Sequence, residues 1–413
     1  MFNYPVRGTR SKKGLICLLL LLNLVNQQRN ENYSKIIMCI DHNSINIDIG
    51  EKYDDGSKNN VDVSNINNPE YAKTALQAID QVSSELREIS LKIHEHPELA
   101  YQEKYAHELL VTYLKSKGFE VTPNAYGIET AFTAEFQSKS GKGKTVSFNS
   151  EIGHACGHNL IAISGVAAAI GIKSVIEKYE IEGTVKLLGT PAEEIGSGKL
   201  DLIEAGAYDN VDISLMVHPS VTDAVYMSFL ALRPVTVEYF GKNAHASGIN
   251  ALDALISAYN NISLLRQQIL PTDSDLRSLQ PRVQKCFDAA SEATGTKVKT
   301  NWKRGVYATR YEYYLTKVFG KKFQPKHEQL ALPSGSTDQG NVTYVVPGIH
   351  SMYDIHALPG DFNHTIGFTG AAKTILAHEE TIMASKGITL VGLDFLIDDE
   401  FSKEVKRAFT ENQ

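Results

Sequence analysis

The chain has 413 residues, 42% of them hydrophobic and 22% charged, enough for more than one folded domain with a substantial core. A formal net charge of −7, with no basic stripe carrying interleaved aromatics, argues against a general nucleic-acid binder. The four cysteines, Cys17, Cys39, Cys156 and Cys286, lack disulfide-type spacing, which favours a reducing, cytoplasmic setting.

At the N-terminus, Arg7, Arg10, Lys12 and Lys13 precede an apolar run from Gly14 to Leu22. That run is short for a membrane span and fits the core of a signal peptide. Asn23-Leu24-Val25-Asn26 makes a poor cleavage site, so two readings stay open: a secretory signal, or an atypical leader on a cytoplasmic protein. From Gln27 to about Asn68 the chain is rich in Asn, Asp and Lys and is expected to be mostly disordered. Residues 1–68 are therefore read as a leader-like segment.

Folding is expected to begin near Pro69. Apolar residues at Ala75, Ile79, Val82, Leu86, Ile89 and Ile93 predict a helix over Ala72 to Glu95. His94 and His96 at its end are either metal ligands or, as is commoner, exposed polar residues. A second helix runs from Ala106 to Lys117, stopped by Gly118, and Phe119-Glu120-Val121 starts a strand. The short apolar run Thr145 to Phe148 is followed by Gly153-His154-Ala155-Cys156-Gly157-His158-Asn159. Leu160 to Tyr179 has helical spacing and a small-residue face. The strand Thr184 to Leu188 is followed by Pro191-Ala192-Glu193-Glu194, then a helical stretch from Lys199 to Ala207. The strand Val211 to Val217 is followed by His218-Pro219. Strand–helix–strand alternation predicts a doubly wound, mostly parallel α/β sheet. Ligands bind beyond the carboxyl ends of such strands. Three strand ends thus deliver metal-competent side chains to one rim.

Each feature has a bland reading alone. A buried free cysteine is usually an inert core residue, and most Glu-Glu pairs are solvated loop. Together, a thiolate, imidazoles and a carboxylate suit Zn²⁺. Bound metal lowers the pKa of water towards neutrality, which an unreactive amide requires. Adjacent carboxylates can divide the work: one binds metal while the other carries the water proton to the leaving amine.

Six segments in order carry a family likeness: Glu88-Ile-Ser-Leu-Lys-Ile-His-Glu-His-Pro-Glu-Leu, His154-Ala-Cys-Gly-His, Thr190-Pro-Ala-Glu-Glu, Val217-His-Pro-Ser, Gly241-Lys-Asn-Ala-His-Ala and Asn363-His-Thr. From about Ala72 onward the chain resembles the aminoacylase/carboxypeptidase-type metallopeptidases. The branch it is most similar to holds auxin-conjugate amidohydrolases and the β-alanyl-lysine type of dipeptidase. The resemblance implies a catalytic domain in two parts, 69–229 and 302–413, with a small inserted α+β lid and dimerisation domain at 230–301. It implies two divalent metals, zinc first, with manganese or cobalt as alternatives. Their ligands would be Cys156, His158, Glu194, His218 and His364, with Glu193 as general base. His245, from the inserted domain and often from a neighbouring subunit, would polarise the scissile carbonyl. Asp338 would support the site from behind or face the substrate. The implied activity is hydrolysis of an amide or peptide bond in a small dipeptide or N-acyl amino acid, by a chain able to form a homodimer. The alternative is a catalytically silent paralogue that acts by binding.

Three stretches depart from that pattern. Phe148-Asn149-Ser150-Glu151 runs straight into Ile152-Gly153-His154, omitting an acidic segment whose Asp would buttress the metal site. Loss of such a group typically weakens metal affinity or activity about 10–100-fold. His245-Ala246-Ser247 passes directly to Gly248, without a small loop. The helix Asn250 to Ile269 is followed almost at once by another, Asp275 to Ala293, where relatives have two strands between. The inserted domain is therefore expected to be shortened to a first strand (Leu232 to Phe240), two helices and a last strand (Lys297 to Trp302). A sheet reduced in this way leaves an edge open to unwanted pairing.

Overall fold

A computed structural model describes the strands at 21–23 and 33–38, and residues 68–411 except 155, 226–228, 230, 232–234, 244–247, 266–272, 303–328 and 330–334. The chain divides into two compact units, Met1–Ile47 with Leu230–Ala308, and Asp48–Phe229 with Thr309–Gln413. Its strands are Leu21–Asn23 (β1), Tyr33–Met38 (β2), Glu120–Pro123 (β3), Phe132–Gln137 (β4), Thr145–Glu151 (β5), Thr184–Thr190 (β6), Ile213–Ser220 (β7), Val235–Phe240 (β8), Lys297–Trp302 (β9) and Gly348–Asp354 (β10). The helices begin with Pro69–Glu95 (α1), Lys104–Ser116 (α2), His158–Tyr179 (α3), Glu193–Gly196 (α4), Gly198–Glu204 (α5) and Ala251–Leu265 (α6). Asp273–Thr294 (α7), Gln339–Val342 (α8), Ile366–Ala371 (α9), Ile375–Ile397 (α10) and Asp399–Glu411 (α11) complete them.

The second unit is built on a six-stranded sheet in the order β10-β7-β5-β6-β4-β3. β10, β7, β5 and β6 run parallel, while β4 and β3 add an antiparallel edge. This is the mostly parallel α/β sheet that the strand–helix alternation predicts. Alternation along β6 shows why both faces need cover: Leu187 belongs to one core cluster with α3, Leu188 to another with Leu202, Tyr208 and Val342. α1 starts at Asn68, whose Oδ1 accepts from Tyr71 N at 3.3 Å, with Pro69 in the first turn. Its buried apolar residues, Ala72, Ala75, Ile79, Val82, Leu86, Ile89 and Ile93, recur every three or four positions. Each Leu or Ile buried there contributes about 2 kcal/mol. α3 is apolar on every side and, by length and composition alone, could cross a membrane. Its residues are instead buried, packed by β5, β6 and β7 on one side and by α1 and α10 on the other.

The first unit is an antiparallel sheet in the order β1-β2-β8-β9, backed by α6 and α7. Val235, Val237 and Tyr239 alternate inward along β8 onto Ala254, Ala258, Ile262, Phe287 and Ala290. Within the segment expected to be mostly disordered, one short stretch forms a strand. Tyr33–Met38 pairs with β8, from Tyr33 opposite Phe240 to Ile36 opposite Val237. The physical reason is that a strand's free N–H and C=O groups recruit a partner. With β9 on its other side, β8 is interior. The rest of the apolar N-terminal run lies outside the described residues.

Candidate metal centre

Strand register sets the site. Glu151, the last residue of β5, pairs with Thr190, the last of β6, and His218 of β7 pairs with Met352 of β10. Between Cys156 and His158 the chain turns through Gly157, with φ 78°, where a Cβ would lie 2.7 Å from Pro219 Cγ. Only glycine fits there, and it lets α3 begin at His158. Gly198 plays a similar part beyond the Glu pair, since a Cβ on it would sit 2.0 Å from Pro191 O. Of the eight non-glycine residues held left-handed among the described residues, two beside the site are Ala192 at φ 60° and His364 at φ 71°, each costing about 1–2 kcal/mol. Such strain concentrates where function fixes the backbone. Glu103 holds the first of them: Ala192 N donates to its Oε1 at 2.9 Å, and Thr130 Oγ1 to its Oε2 at 3.1 Å.

Around His158 Nε2 lie Glu151 Oε2 at 3.6 Å, Glu194 Oε1 at 3.6 Å and Glu193 Oε2 at 3.8 Å. Glu194 Oε2 lies 3.6 Å from His364 Nδ1. Ligand atoms of Glu151, His158 and His218 all fall within 4.8 Å of one another, as do those of Cys156, Glu194 and His364. Two ligands bound at Zn distances in a tetrahedral shell sit roughly 3.3–3.6 Å apart. Asn363 Nδ2 donates to Cys156 Sγ at 3.2 Å and to Pro219 O at 3.1 Å. His218 Nδ1 donates to Pro219 O at 2.7 Å, which turns the lone pair of its Nε2 to the site. Glu151 Oε2, Glu194 Oε1 and both ring nitrogens of His158 are buried without a hydrogen-bond partner. Leaving such a group unpaired costs about 1–3 kcal/mol, more for a charge. Bound cations would satisfy this set, so the donors fit metal.

The electrostatics agree. Burial, then the Glu194 charge, pushes the Cys156 thiol well above its ordinary value. Burial and the Glu151 carboxylate also raise Glu193 strongly and push Glu194 up to about 8. Burial and neighbouring His218 hold His158 in the neutral form, which is the form that ligates. Lys199 is wholly buried, a setting that opposes its charge. Asp338 and Glu151, with Glu193 beyond them, outweigh that burial and keep it protonated. Its Nζ donates to Glu151 Oε1 at 2.5 Å and to Asp338 Oδ1 at 2.7 Å, while its backbone N donates to Asp338 Oδ2 at 2.9 Å.

The structure gathers Cys156, His158, Glu193, Glu194, His218 and His364 at one rim. Asp338 is 1% exposed and both its oxygens accept from Lys199. His245 lies outside the described residues; Lys242 and Ile249 on either side pair with each other through two backbone hydrogen bonds of 2.8 Å. His94 Nε2 donates to Thr369 O and His96 Nδ1 to Lys92 O, both at 2.8 Å, and neither joins a metal-competent group among the described residues. Glu98 of the same motif accepts from Tyr105 N and Ala106 N, capping α2. Sequence reasoning missed Glu151, Lys199, Glu103 and His350. His350 is buried with both ring nitrogens unpartnered, its ring 5.2 Å from that of His218. Glu151 had a legible signal: it is a carboxylate at a strand's carboxyl end, as Glu193 and Glu194 nearly are. Lys199 showed only as a charge in a helix start.

Residues 135–365, more than half the chain, match Peptidase family M20/M25/M40. A Mus musculus Xaa-Arg dipeptidase is 35% identical over 403 residues, 82% of this chain and 91% of its own length. The Homo sapiens Xaa-Arg dipeptidase is 34% identical over 403 residues, 81% of this chain and 90% of its own. Among solved structures, an aminobenzoyl-glutamate utilization protein from Klebsiella pneumoniae shares the fold at TM-score 0.60 and 14% identity, over 78% of this chain and 99% of that one. The chain belongs to the M20/M25/M40 peptidase family. It is a metal-dependent hydrolase of the class that includes dipeptidases and amidohydrolases.

Proposed function

We propose that this protein hydrolyses the peptide bond of a small dipeptide, with a basic C-terminal residue as first candidate, using two zinc ions. The single observation that carries the reading is the pair of donor sets, Glu151/His158/His218 and Cys156/Glu194/His364, in which Glu151 Oε2, Glu194 Oε1 and both His158 ring nitrogens are buried without other partners. The basic C-terminal residue follows the name of the two mammalian relatives. When bound, the ions supply Lewis-acid polarisation and an ionisable water.

Within that frame the two adjacent carboxylates, each in a metal-competent group, are given different roles. Glu194 turns one oxygen to His158 and the other to His364, so it is assigned as ligand. Glu193 approaches only His158 among these histidines, at 3.8 Å, and is assigned as the base that takes the water proton and returns it to the leaving amine. His245 is assigned to the carbonyl oxygen on resemblance alone. The exposed Leu252, Ile256 and Tyr259 on one side of α6 suit a second copy of the chain. A thiol ligand at Cys156 favours a reducing compartment, hence the cytoplasm, which localisation of a tagged chain would test.

Elemental analysis of protein from zinc-replete cells, coupled to a panel of Xaa-Arg, Xaa-Lys and Xaa-Leu dipeptides and N-acyl amino acids, tests the reading. About two Zn²⁺ per chain and fastest turnover of the basic dipeptides are expected. Metal-free protein would sink the metal assignment. Full metal with no turnover across the panel would point instead to a silent binder.

A further inference from the structure

The ligand set implied by resemblance leaves one group unexplained. Glu151 is fully buried, yet only one of its carboxylate oxygens is spent: Oε1 accepts from Lys199 Nζ at 2.5 Å. Its Oε2 is buried without a partner, 3.6 Å from His158 Nε2. A glutamate kept only to neutralise Lys199 has no reason to hold its second oxygen dry and unpaired against two histidines. That arrangement leaves a desolvated carboxylate oxygen and forfeits a hydrogen bond. His218 presents Nε2 to the same point, since its Nδ1 is committed to Pro219 O. Without Glu151, the His158/His218 side would have only nitrogen donors and would share Glu194 with the Cys156 side.

We propose that Glu151 is a ligand of the metal held by His158 and His218, and that Lys199 with Asp338 is the pair that positions it. The inference rests on the two-metal reading above. It divides the site unevenly: one position is Glu151/His158/His218, with oxygen and nitrogen donors; the other is Cys156/Glu194/His364, with sulfur. Lys199, anchored at its backbone N and its Nζ by the two oxygens of Asp338, takes Glu151 Oε1 and turns Oε2 to the metal. The shortened stretch before Ile152 therefore does not leave the site without acidic support; the last residue of β5 supplies it directly. Sulfur on one side only makes the two positions spectroscopically distinct, because a thiolate gives Co²⁺ a charge-transfer band that oxygen and nitrogen donors lack.

The test is Co²⁺ titration of the full chain, read by bound metal and by that thiolate band. Wild type should take up about two equivalents and show the band. Glu151→Gln, which leaves Lys199 balanced by Asp338, and Glu151→Ala should each bind about one equivalent. Their second site should weaken at least about a hundred-fold, beyond the range typical for an outer partner, with the band intact. Lys199→Met alone should weaken that same equivalent about 10–100-fold, and Lys199→Arg should restore it, which a purely structural lysine would not do selectively. Two equivalents at undiminished affinity in either Glu151 variant overturn the proposal. So does a thiolate band lost together with the second equivalent, which would make Glu151 a support of the whole site. Wild type that binds no Co²⁺ overturns the two-metal reading instead.

Discussion

At the scale of single residues, the proposed site gives neighbours different tasks. Glu193 and Glu194 are adjacent and share a buried, acidic surrounding, yet their oxygens face different partners. Glu193→Gln should lower turnover by on the order of 10²–10⁴, the range for losing a positioned base, with metal content unchanged. Glu194→Gln should instead lower metal content, and Cys156→Ser should do so too by replacing the softer ligand. Elemental analysis beside initial rates separates these; equal metal loss in both Glu variants would refute the division of labour.

At the scale of elements, the sheet carries the rim and the helices hold the sheet. β6 ends two residues before Ala192, and Gly189 within it faces Phe132 of β4, whose ring a Cβ would meet at 2.1 Å. Gly189→Ala should therefore destabilise the second unit by about 1–3 kcal/mol through overpacking, read as a lower urea midpoint at unchanged slope. The contact between α1 and α10 adds a pH dependence. His378 of α10 is buried, its Nε2 3.0 Å from Ser83 Oγ of α1. Burial, and then the Arg87 charge, lowers its pKa from 6.5 to about 4. The folded pKa lies below the unfolded one, so this contribution is complete above pH 6.5 and is lost as pH falls towards about 4. The loss should approach roughly 3 kcal/mol. His378→Gln should flatten that part of the acid limb in denaturant titrations between pH 7 and 4; an unchanged limb would refute the assignment.

At the scale of the whole molecule, the chain is two units with separate cores. The candidate metal donors all belong to the second unit, while His245 belongs by sequence to the first. If a homodimer shares His245 between subunits, mixing His245→Ala with Glu193→Gln protein should restore activity, because a hybrid then holds one intact site. Removing one such carbonyl-polarising donor costs on the order of 10²–10³ in rate, so rescue stands far above background. Mixed dimers without rescue would place His245 in its own subunit's site or outside catalysis. The strand Tyr33–Met38 gives the first unit's sheet a member from far along the chain, so that sheet closes a long loop, with an entropic cost that grows only slowly with length.

Much of the fold was legible because it is local. Apolar spacing every three or four residues located α1 and α3, short β-rich runs located β6 and β7, and their alternation fixed a parallel sheet with its ligands at the carboxyl ends. Cys156, His158, Glu193, Glu194 and His218 were legible for the same reason, each lying at or just past a strand end. His364 and Asp338 were reached only through resemblance, since a loop histidine and a turn aspartate carry no periodic signal.

What the sequence alone determined was the class of chemistry and the rim that bears it. Only the tertiary structure decided which carboxylates face which histidines and that Asp338 serves Lys199. It also decided that Glu151 presents an unpartnered oxygen to His158, and that Tyr33–Met38, within a segment read as mostly disordered, pairs with β8. The physical reason is that donor orientation and strand pairing depend on atoms brought together from distant positions. Glu151 meets His218 on one side and Asp338 on the other because β5, β7 and the turn before α8 come together in the fold. Nothing in the local pattern of any one of them records the other two.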